Sequence, residues 1–150
     1  MSKPRIATVA DAIITQMQAA TWSQAFEIER VYMDRAESSE LKTLRVQLMC
    51  GASDPSTMTR KHRRWTHTIQ IAVRKNVDPA NVASIDALAA FAEDIAEYWS
   101  SGSSDGKRVV TNTAATVAGV SFLPYSPDVL DTARCFISVI TLTVIEVVAV

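Results

Sequence analysis

Glycine, cysteine and histidine are scarce in this chain, and each shortage narrows what the protein can do. Four glycines in 150 residues leave little material for a loop that cradles phosphate. Two cysteines, Cys50 and Cys135, are too few for a disulfide framework, and we expect both to be buried free thiols. His62 and His67 lie five apart on one predicted strand, so they face opposite ways and cannot share a metal ion. We therefore predict no cofactor and no metal site.

The chain also lacks an excess of either charge and a long uninterrupted apolar run. Lys and Arg number 15 against 16 Asp and Glu, which argues against a nucleic-acid backbone as the main partner. The apolar segment 136–150 contains Glu146 and is shorter than the roughly 20 residues of a membrane helix. A signal-peptide pattern is also absent. We expect a cytoplasmic product without a membrane segment.

What the chain does have is the composition of a globular protein. Hydrophobic residues make up 48% and charged residues 21% of the sequence. A length of 150 residues fits one domain, 1–150, with a substantial core. No internal repeat is visible.

The stretch 60–99 organises the predicted fold. After a basic run, the large apolar side chains of Trp65, Ile69, Ile71 and Val73 occupy odd positions, and mostly polar residues occupy even ones. Such alternation is typical of a strand with one buried face. A long apolar-periodic segment follows, so we predict a strand that leads into a helix packed back on the sheet.

Two amphipathic helices are predicted. The first spans about residues 4–20, with Pro4 near its first turn. The second starts at Pro79, with Asp78 as its cap. Its apolar stripe consists of Val82, Ile85, Leu88, Ala89, Ala92, Ile95 and Trp99. We interpret 100–106 as a flexible linker.

Two strands precede the central one. Alternation predicts them over 26–33 and 43–50, with an acidic loop at 34–40 between them. The segment 51–59 is rich in Gly, Ser, Pro and Thr, and we predict an exposed, mobile loop there.

The last third of the chain is also mainly extended. A short edge strand or an extended segment is predicted over 107–113, then a strand over 117–123 and a turn at 124–128. The final strand, 136–148, has apolar residues on both faces, and we expect both to be buried. The order is α-β-β-β-α-β-β. We predict a single α+β domain, a mainly antiparallel sheet with two helices packed on one face.

No arrangement of residues typical of catalysis emerges. A Cys/His zinc pattern and a nucleophile elbow are both absent. Glu93, Asp94 and Glu97 fall on the outer face of the second helix, where a solvated surface is the ordinary interpretation. We predict that the protein is not an enzyme and has no catalytic residues.

The basic run is the polar feature that stands out, with Arg60, Lys61, Arg63 and Arg64 around His62. Such a run binds phosphate or an acidic partner surface. Alternatively, it forms a loop rim that keeps the chain soluble and discourages edge pairing. Because no stacking aromatics are interleaved with the charges, a protein partner is favoured over single-stranded nucleic acid.

Three stretches carry a resemblance to a known family. They are the amphipathic helix 6–17, the Arg60 loop that leads into strand 68–73 and helix 85–95, and the segment 125–130 followed by 136–142. In these arrangements the chain resembles the tail terminator, or tail completion, proteins of long-tailed bacteriophages.

The resemblance implies a structural protein of the virion without catalysis or a cofactor. It implies a ring, usually hexameric, at the head-proximal end of the tail tube, which ends tube polymerisation and provides the head-joining surface. The implied partners are further copies of the chain, the major tail tube protein and a head-completion or neck protein. DNA would pass through the lumen without sequence-specific binding, and assembly would take place in the host cytoplasm.

A ring subunit uses two different surfaces, and charges of opposite sign provide candidates. We predict that Glu37 and Glu40 pair with the basic run of a neighbouring subunit. Two alternatives stay open, another head–tail connector protein and a small nucleic-acid-binding adaptor.

Overall fold

The computed structural model describes residues 3–32, 42–101, 108–111, 113–127, 130–131 and 134–149. Two helices and six strands lie within these residues. In chain order they are α1 (Arg5–Ala19), β1 (Glu27–Val31), β2 (Arg45–Thr57), β3 (His62–Asn76), α2 (Val82–Ser100), β4 (Arg108–Val109), β5 (Ala115–Leu123) and β6 (Cys135–Ala149).

The strands form one mainly antiparallel sheet in the order β1-β2-β3-β6-β5-β4. Only β1 and β2 run parallel among the pairs of this sheet. The predicted α+β class and element order are confirmed, and the two-residue β4 is the short edge strand expected near 107–113.

The core lies on one face of the sheet, beneath both helices. The side chains of Ile69, Ile71 and Val73 are fully buried there, as the odd-position alternation predicted. Helix α1 packs on β1, β2 and β3, and α2 packs on β5 and β6. Because each fully buried aliphatic side chain contributes about 1.5–3 kcal/mol, this layer is the main source of stability.

Helix α1 matches its predicted extent, whereas α2 starts at Val82 and not at Pro79 as predicted. Its N-cap is Asn81, whose side chain accepts a hydrogen bond from the Ser84 backbone N–H. Asp78 instead accepts from the N–H of Ala80 and closes a separate turn. The helix therefore begins at Val82. Val82 was predicted to belong to the buried stripe, but it is 65% exposed and lies outside it.

The segment predicted as a loop at 51–59 is largely strand, and that prediction is wrong. β2 continues to Thr57 and pairs with β3 from Ser53↔His67 to Thr57↔Arg63, after an irregularity between Cys50 and Ser53. The side chains are mostly exposed, as expected. Backbone hydrogen bonding to β3 decides the conformation here, and Pro55 is tolerated because β1 pairs with β2 only up to Met49.

The second face of β6 is only half-buried, so the prediction of burial on both sides is wrong. Ile137, Val139, Ile145 and Val147 on this face remain partly exposed. The reason is that both described helices lie on the other face of the sheet. We call the side of the sheet opposite the helices the open face.

Several predictions fall outside the described residues. These are the acidic loop 34–40, most of the segment 100–106 and part of the turn 124–128. In the described part of the chain, neither helix combines the length and the apolar character needed to cross a membrane.

Candidate functional site

The polar surface that stands out in the sequence lies on a projection of the sheet that we call the arm. The arm consists of residues 53–57 of β2, 62–66 of β3 and 145–149 of β6, with the connecting turn 58–61. The turn is closed by a hydrogen bond from the Met58 N–H to the His62 carbonyl. The Thr59 hydroxyl accepts from the N–H groups of Lys61 and His62, which fixes the tip.

The four basic residues of the run are all exposed on the arm. Arg60 and Lys61 lie in the turn, whereas Arg63 and Arg64 are consecutive strand residues and point to opposite faces. Among the described residues, none of the four makes an ion pair. The tip therefore presents four exposed cations that pair with no acidic residue of the described chain. Glu37 and Glu40, the predicted partners of the run, lie outside the described residues.

Three polar side chains meet where the arm joins the core, and we call them the polar triad. The Ser53 Oγ lies 2.9 Å from Nδ1 of His67, and Nε2 of His67 lies 3.2 Å from Oε1 of Glu146. His67 is fully buried. Because a carboxylate accepts hydrogen bonds and does not donate them, Nε2 carries a proton. In the neutral ring, Nδ1 then accepts from the Ser53 hydroxyl.

Two more residues cover the polar triad. The Trp65 ring stacks on the His67 ring with centroids 6.1 Å apart and an angle of 11° between the planes. The Arg5 guanidinium lies 5.9 Å from the Trp65 ring centroid and 4.0 Å from the Glu146 carboxylate. The first residue of α1 is thereby joined to β3 and β6 at the base of the arm.

A serine, a histidine and a carboxylate in this order resemble a nucleophile with its base, so the surroundings decide what they do. Covalent catalysis needs a substrate space beside the nucleophile and donors for an oxyanion. A cavity of about 780 Å³ is lined by residues between Met17 and Ile28, and one of about 350 Å³ lies beside Asp11 and Thr111. The polar triad lines neither of these two cavities, and His67 is fully buried with the Trp65 ring stacked on it. We interpret the triad as a tie between three strands.

A second polar cluster holds α1 to β1. Asp11 accepts from Arg30 at 2.8 Å and from Lys3 at 2.7 Å. Burial acts to raise the pKa of Asp11, but the hydrogen bonds from Lys3 and Arg30 outweigh it and lower the pKa below its ordinary value. The bond to Asp11 raises the pKa of Arg30 in turn.

The cysteines agree in part with the prediction of buried free thiols. Both are free, and Cys135 is buried, whereas Cys50 is only half-buried. Burial raises the pKa of each thiol above its ordinary value. A raised pKa keeps a thiol protonated and unreactive.

His62 and His67 lie on opposite faces of β3, as predicted, with His62 exposed and His67 buried. Within the described parts of the chain, no three His, Cys, Asp or Glu side chains converge on a possible metal position. No family model matches the chain, and no curated protein matches it either.

The basic run is visible in the sequence, but the polar triad was not predicted. A signal for it was present, because His67 shares odd parity with Ile69, Ile71 and Val73 and so had to lie on the buried face. Because a buried imidazole needs hydrogen-bond partners, polar residues on the adjacent strands are the expected partners of His67. Its partner Glu146 lies 79 residues away, and only the β3–β6 register brings them together.

Proposed function

We propose that the chain is a structural protein of a bacteriophage virion that forms a ring at the head-proximal end of the tail tube. The ring ends tube polymerisation and provides the surface to which the head is joined. Its partners are other copies of the chain, the major tail tube protein and a head-completion or neck protein, while DNA passes through the lumen. Support comes first from the resemblance to tail terminator proteins, which is carried by helix 6–17, by the Arg60 loop with strand 68–73 and helix 85–95, and by segments 125–130 and 136–142.

The observation that carries the proposal is the arm. Residues 54–64 are all exposed, yet their backbone is held in paired strands and a closed turn. An isolated hairpin is only marginally stable in water, but this one is extended from a core sheet and has β6 as a third strand. A solvated projection with four cations that have no acidic partner in the described part of the chain is suited to contact with another macromolecule.

The open face adds a second surface that supports assembly. Ile137 and Val139 are partly exposed apolar side chains of β6 that lie on the open face outside the arm. This apolar part of the open face and the charged tip of the arm are two unlike surfaces on one subunit. Two unlike surfaces are what a head-to-tail contact requires, and such contacts close into rings when the rotation permits.

Tube capping tests the proposed function. Purified chain is added to the polymerising tail-tube protein encoded by the same genome, and the products are imaged by negative stain. We expect tubes that stop growing and carry a ring at one end. Tubes of unlimited length with bare ends, at saturating amounts of the chain, would overturn the proposal.

Two alternatives make different predictions in the same material. Another head–tail connector would bind the neck or portal side without affecting tube length. A nucleic-acid adaptor would bind duplex DNA at low salt through the basic tip, and its affinity would fall steeply as salt is added. Capping without DNA binding separates the terminator role from both.

A further inference from the structure

The outer face of α2 carries a negative charge that the described part of the chain does not neutralise. Asp86, Glu93, Asp94 and Glu97 are all exposed, and α2 contains neither Lys nor Arg. At 100° per residue the four positions fall within one arc of about 100°. None of the ion pairs formed among the described residues includes them. We call these four residues the acidic face.

The acidic face opposes the stability of its own helix. Glu93 and Glu97 lie four residues apart, a spacing at which like charges destabilise a helix by a few tenths of a kcal/mol. Glu97 also lies in the last turn, beside the negative end of the helix dipole, where a cation would be favourable. A residue pattern that breaks local rules in this way is expected where a surface serves a function.

The complement of the acidic face is found on the same chain. Arg60, Lys61, Arg63 and Arg64 are exposed on the arm and have no described acidic partner. Arg5 lies over the Trp65 ring. Lys61 is four residues further along the chain toward the tip, so the tip lies roughly 13 Å beyond Trp65. Neither the basic tip nor the acidic face forms an ion pair within the described chain, and the two surfaces carry opposite charges.

We propose that the basic tip of the arm on one copy of the chain binds the acidic face of α2 on a second copy. This interface rests on the proposed ring function and names the surfaces that a ring contact uses. The arm and α2 are different surfaces, so one such contact leaves an acidic face free on the first copy and an arm free on the second, and further copies can add head-to-tail. A closed ring satisfies all of them.

Because the proposed contact consists of ion pairs, its affinity should depend on the salt concentration. Exposed ion pairs are individually weak, so several must act together, and salt screens them. Self-association should therefore weaken as ionic strength rises, mainly through slower encounter of the complementary charges.

Complementary charge reversals test the interface directly. The first variant combines Arg63→Glu with Arg64→Glu, and the second combines Asp94→Lys with Glu97→Lys. Each variant alone places like charges at every contact, and we expect its self-association to weaken by about tenfold or more in Kd. In an equimolar mixture, the reversed arm of the first variant meets the reversed α2 of the second, and the two unchanged surfaces meet each other. Every contact is then between opposite charges if the two variants alternate, so assemblies with an even number of subunits should return. Sedimentation velocity at low ionic strength measures each sample, after circular dichroism shows that the variants are folded.

Two controls separate specific pairing from general attraction. Arg63→Lys with Arg64→Lys keeps the charge and should retain association. Asp78→Lys with Asp131→Lys makes the same charge change as the second variant at other exposed positions, and because it keeps both contact surfaces it should associate with itself as the wild-type chain does. A loss of association in this control as large as in the second variant would overturn the assignment of the acidic face.

The remaining outcomes also decide the question. A wild-type chain that stays monomeric at low ionic strength, or reversals that leave association unchanged, would overturn the interface. Tube capping then still decides the proposed function by itself. Conversely, rescue by the mixture without any capping would uphold the interface and overturn the tail terminator role.

Discussion

The two halves of β3 lie in different environments although they belong to one strand. In the second half, Ile69, Ile71 and Val73 are fully buried beneath the helices. In the first half, Arg63 and Arg64 are exposed on the arm, and His67 lies at the boundary. β6 pairs with both halves without interruption, from His62↔Ala149 to Asn76↔Cys135.

The comparison shows that one strand pattern serves two purposes. In the core half, alternation separates water from a packed interior, and burial of apolar surface provides the stability. In the arm half, backbone pairing and the polar triad maintain the same extended geometry with little burial. The core half thus stabilises the fold, whereas the arm half presents a surface. Variants in the core half, at the boundary and on the surface test this division.

The largest loss should come from a cavity in the core half. Ile71→Ala removes fully buried methyl groups, and we expect the free energy of unfolding to fall by about 3–4 kcal/mol. The matched change Thr57→Ala, on the exposed end of β2, should stay within about 0.5 kcal/mol. Urea denaturation measures both. Similar losses from the two variants would contradict the division between core and arm.

The boundary between the halves depends on the polar triad. His67→Ala leaves Glu146 without its imidazole partner in a mostly covered position, and we expect a loss of about 2–3 kcal/mol. Ser53→Ala removes one hydrogen bond and should cost about 1 kcal/mol. Thermal unfolding of both variants gives the comparison. If His67→Ala were no more damaging than Ser53→Ala, the triad would not tie the strands together.

Two glycines at strand irregularities provide a matched pair. A Cβ at Gly51 would lie 2.8 Å from the Thr68 carbonyl oxygen, so backbone must shift, and Gly51→Ala should destabilise by about 1–3 kcal/mol. A Cβ at Gly119 meets nothing closer than 3.9 Å. Gly119→Ala should therefore be neutral or stabilise by up to about 1 kcal/mol, because it restricts the unfolded chain. Chemical denaturation of the two variants checks the contrast, and equal losses would refute it.

The smallest effect concerns pH and the Asp11 cluster. Because the folded-state pKa of Asp11 is lowered, its contribution is present above the ordinary value of 3.8 and is lost as pH falls through the folded pKa. Asp11→Asn should cost about 1 kcal/mol at neutral pH, a modest amount because the carboxylate is partly exposed.

Urea midpoints of the parent and Asp11→Asn, measured at neutral and acidic pH, test this sign. We expect the difference between the two proteins to shrink as the pH drops below 3.8. A difference that grew on acidification would contradict the role given to the ion pairs with Lys3 and Arg30.

Much of the fold was accessible from sequence because two periodicities are clear. The three- and four-residue steps of Ile6, Val9, Ile13 and Met17 predicted α1, and the odd-position apolar residues predicted the buried face of β3. The outer part of β2 was missed because its polar side chains resemble a loop, while its conformation is set by pairing with β3. Local composition does not report such pairing.

The candidate site was accessible only in part, for a similar reason. A run of four cations in five residues is visible in any reading of 60–64. The triad needed the strand register, since Ser53, His67 and Glu146 are far apart in the chain and become neighbours only across β2, β3 and β6. Glu93, Asp94 and Glu97 were predicted to lie on an exposed helix surface, but only the ion pairs of the fold show that the acidic face has no partner among the described residues.

The pairing of β3 with β6 also has a consequence for how the chain reaches its native state. All 15 residues of β3 are paired with β6, and the partners His62 and Ala149 are 87 positions apart. Such non-local pairing requires closure of a long loop before contacts compensate for its entropy. The chain should therefore refold in milliseconds to seconds, as proteins dominated by non-local pairing do, and stopped-flow refolding measures this rate directly.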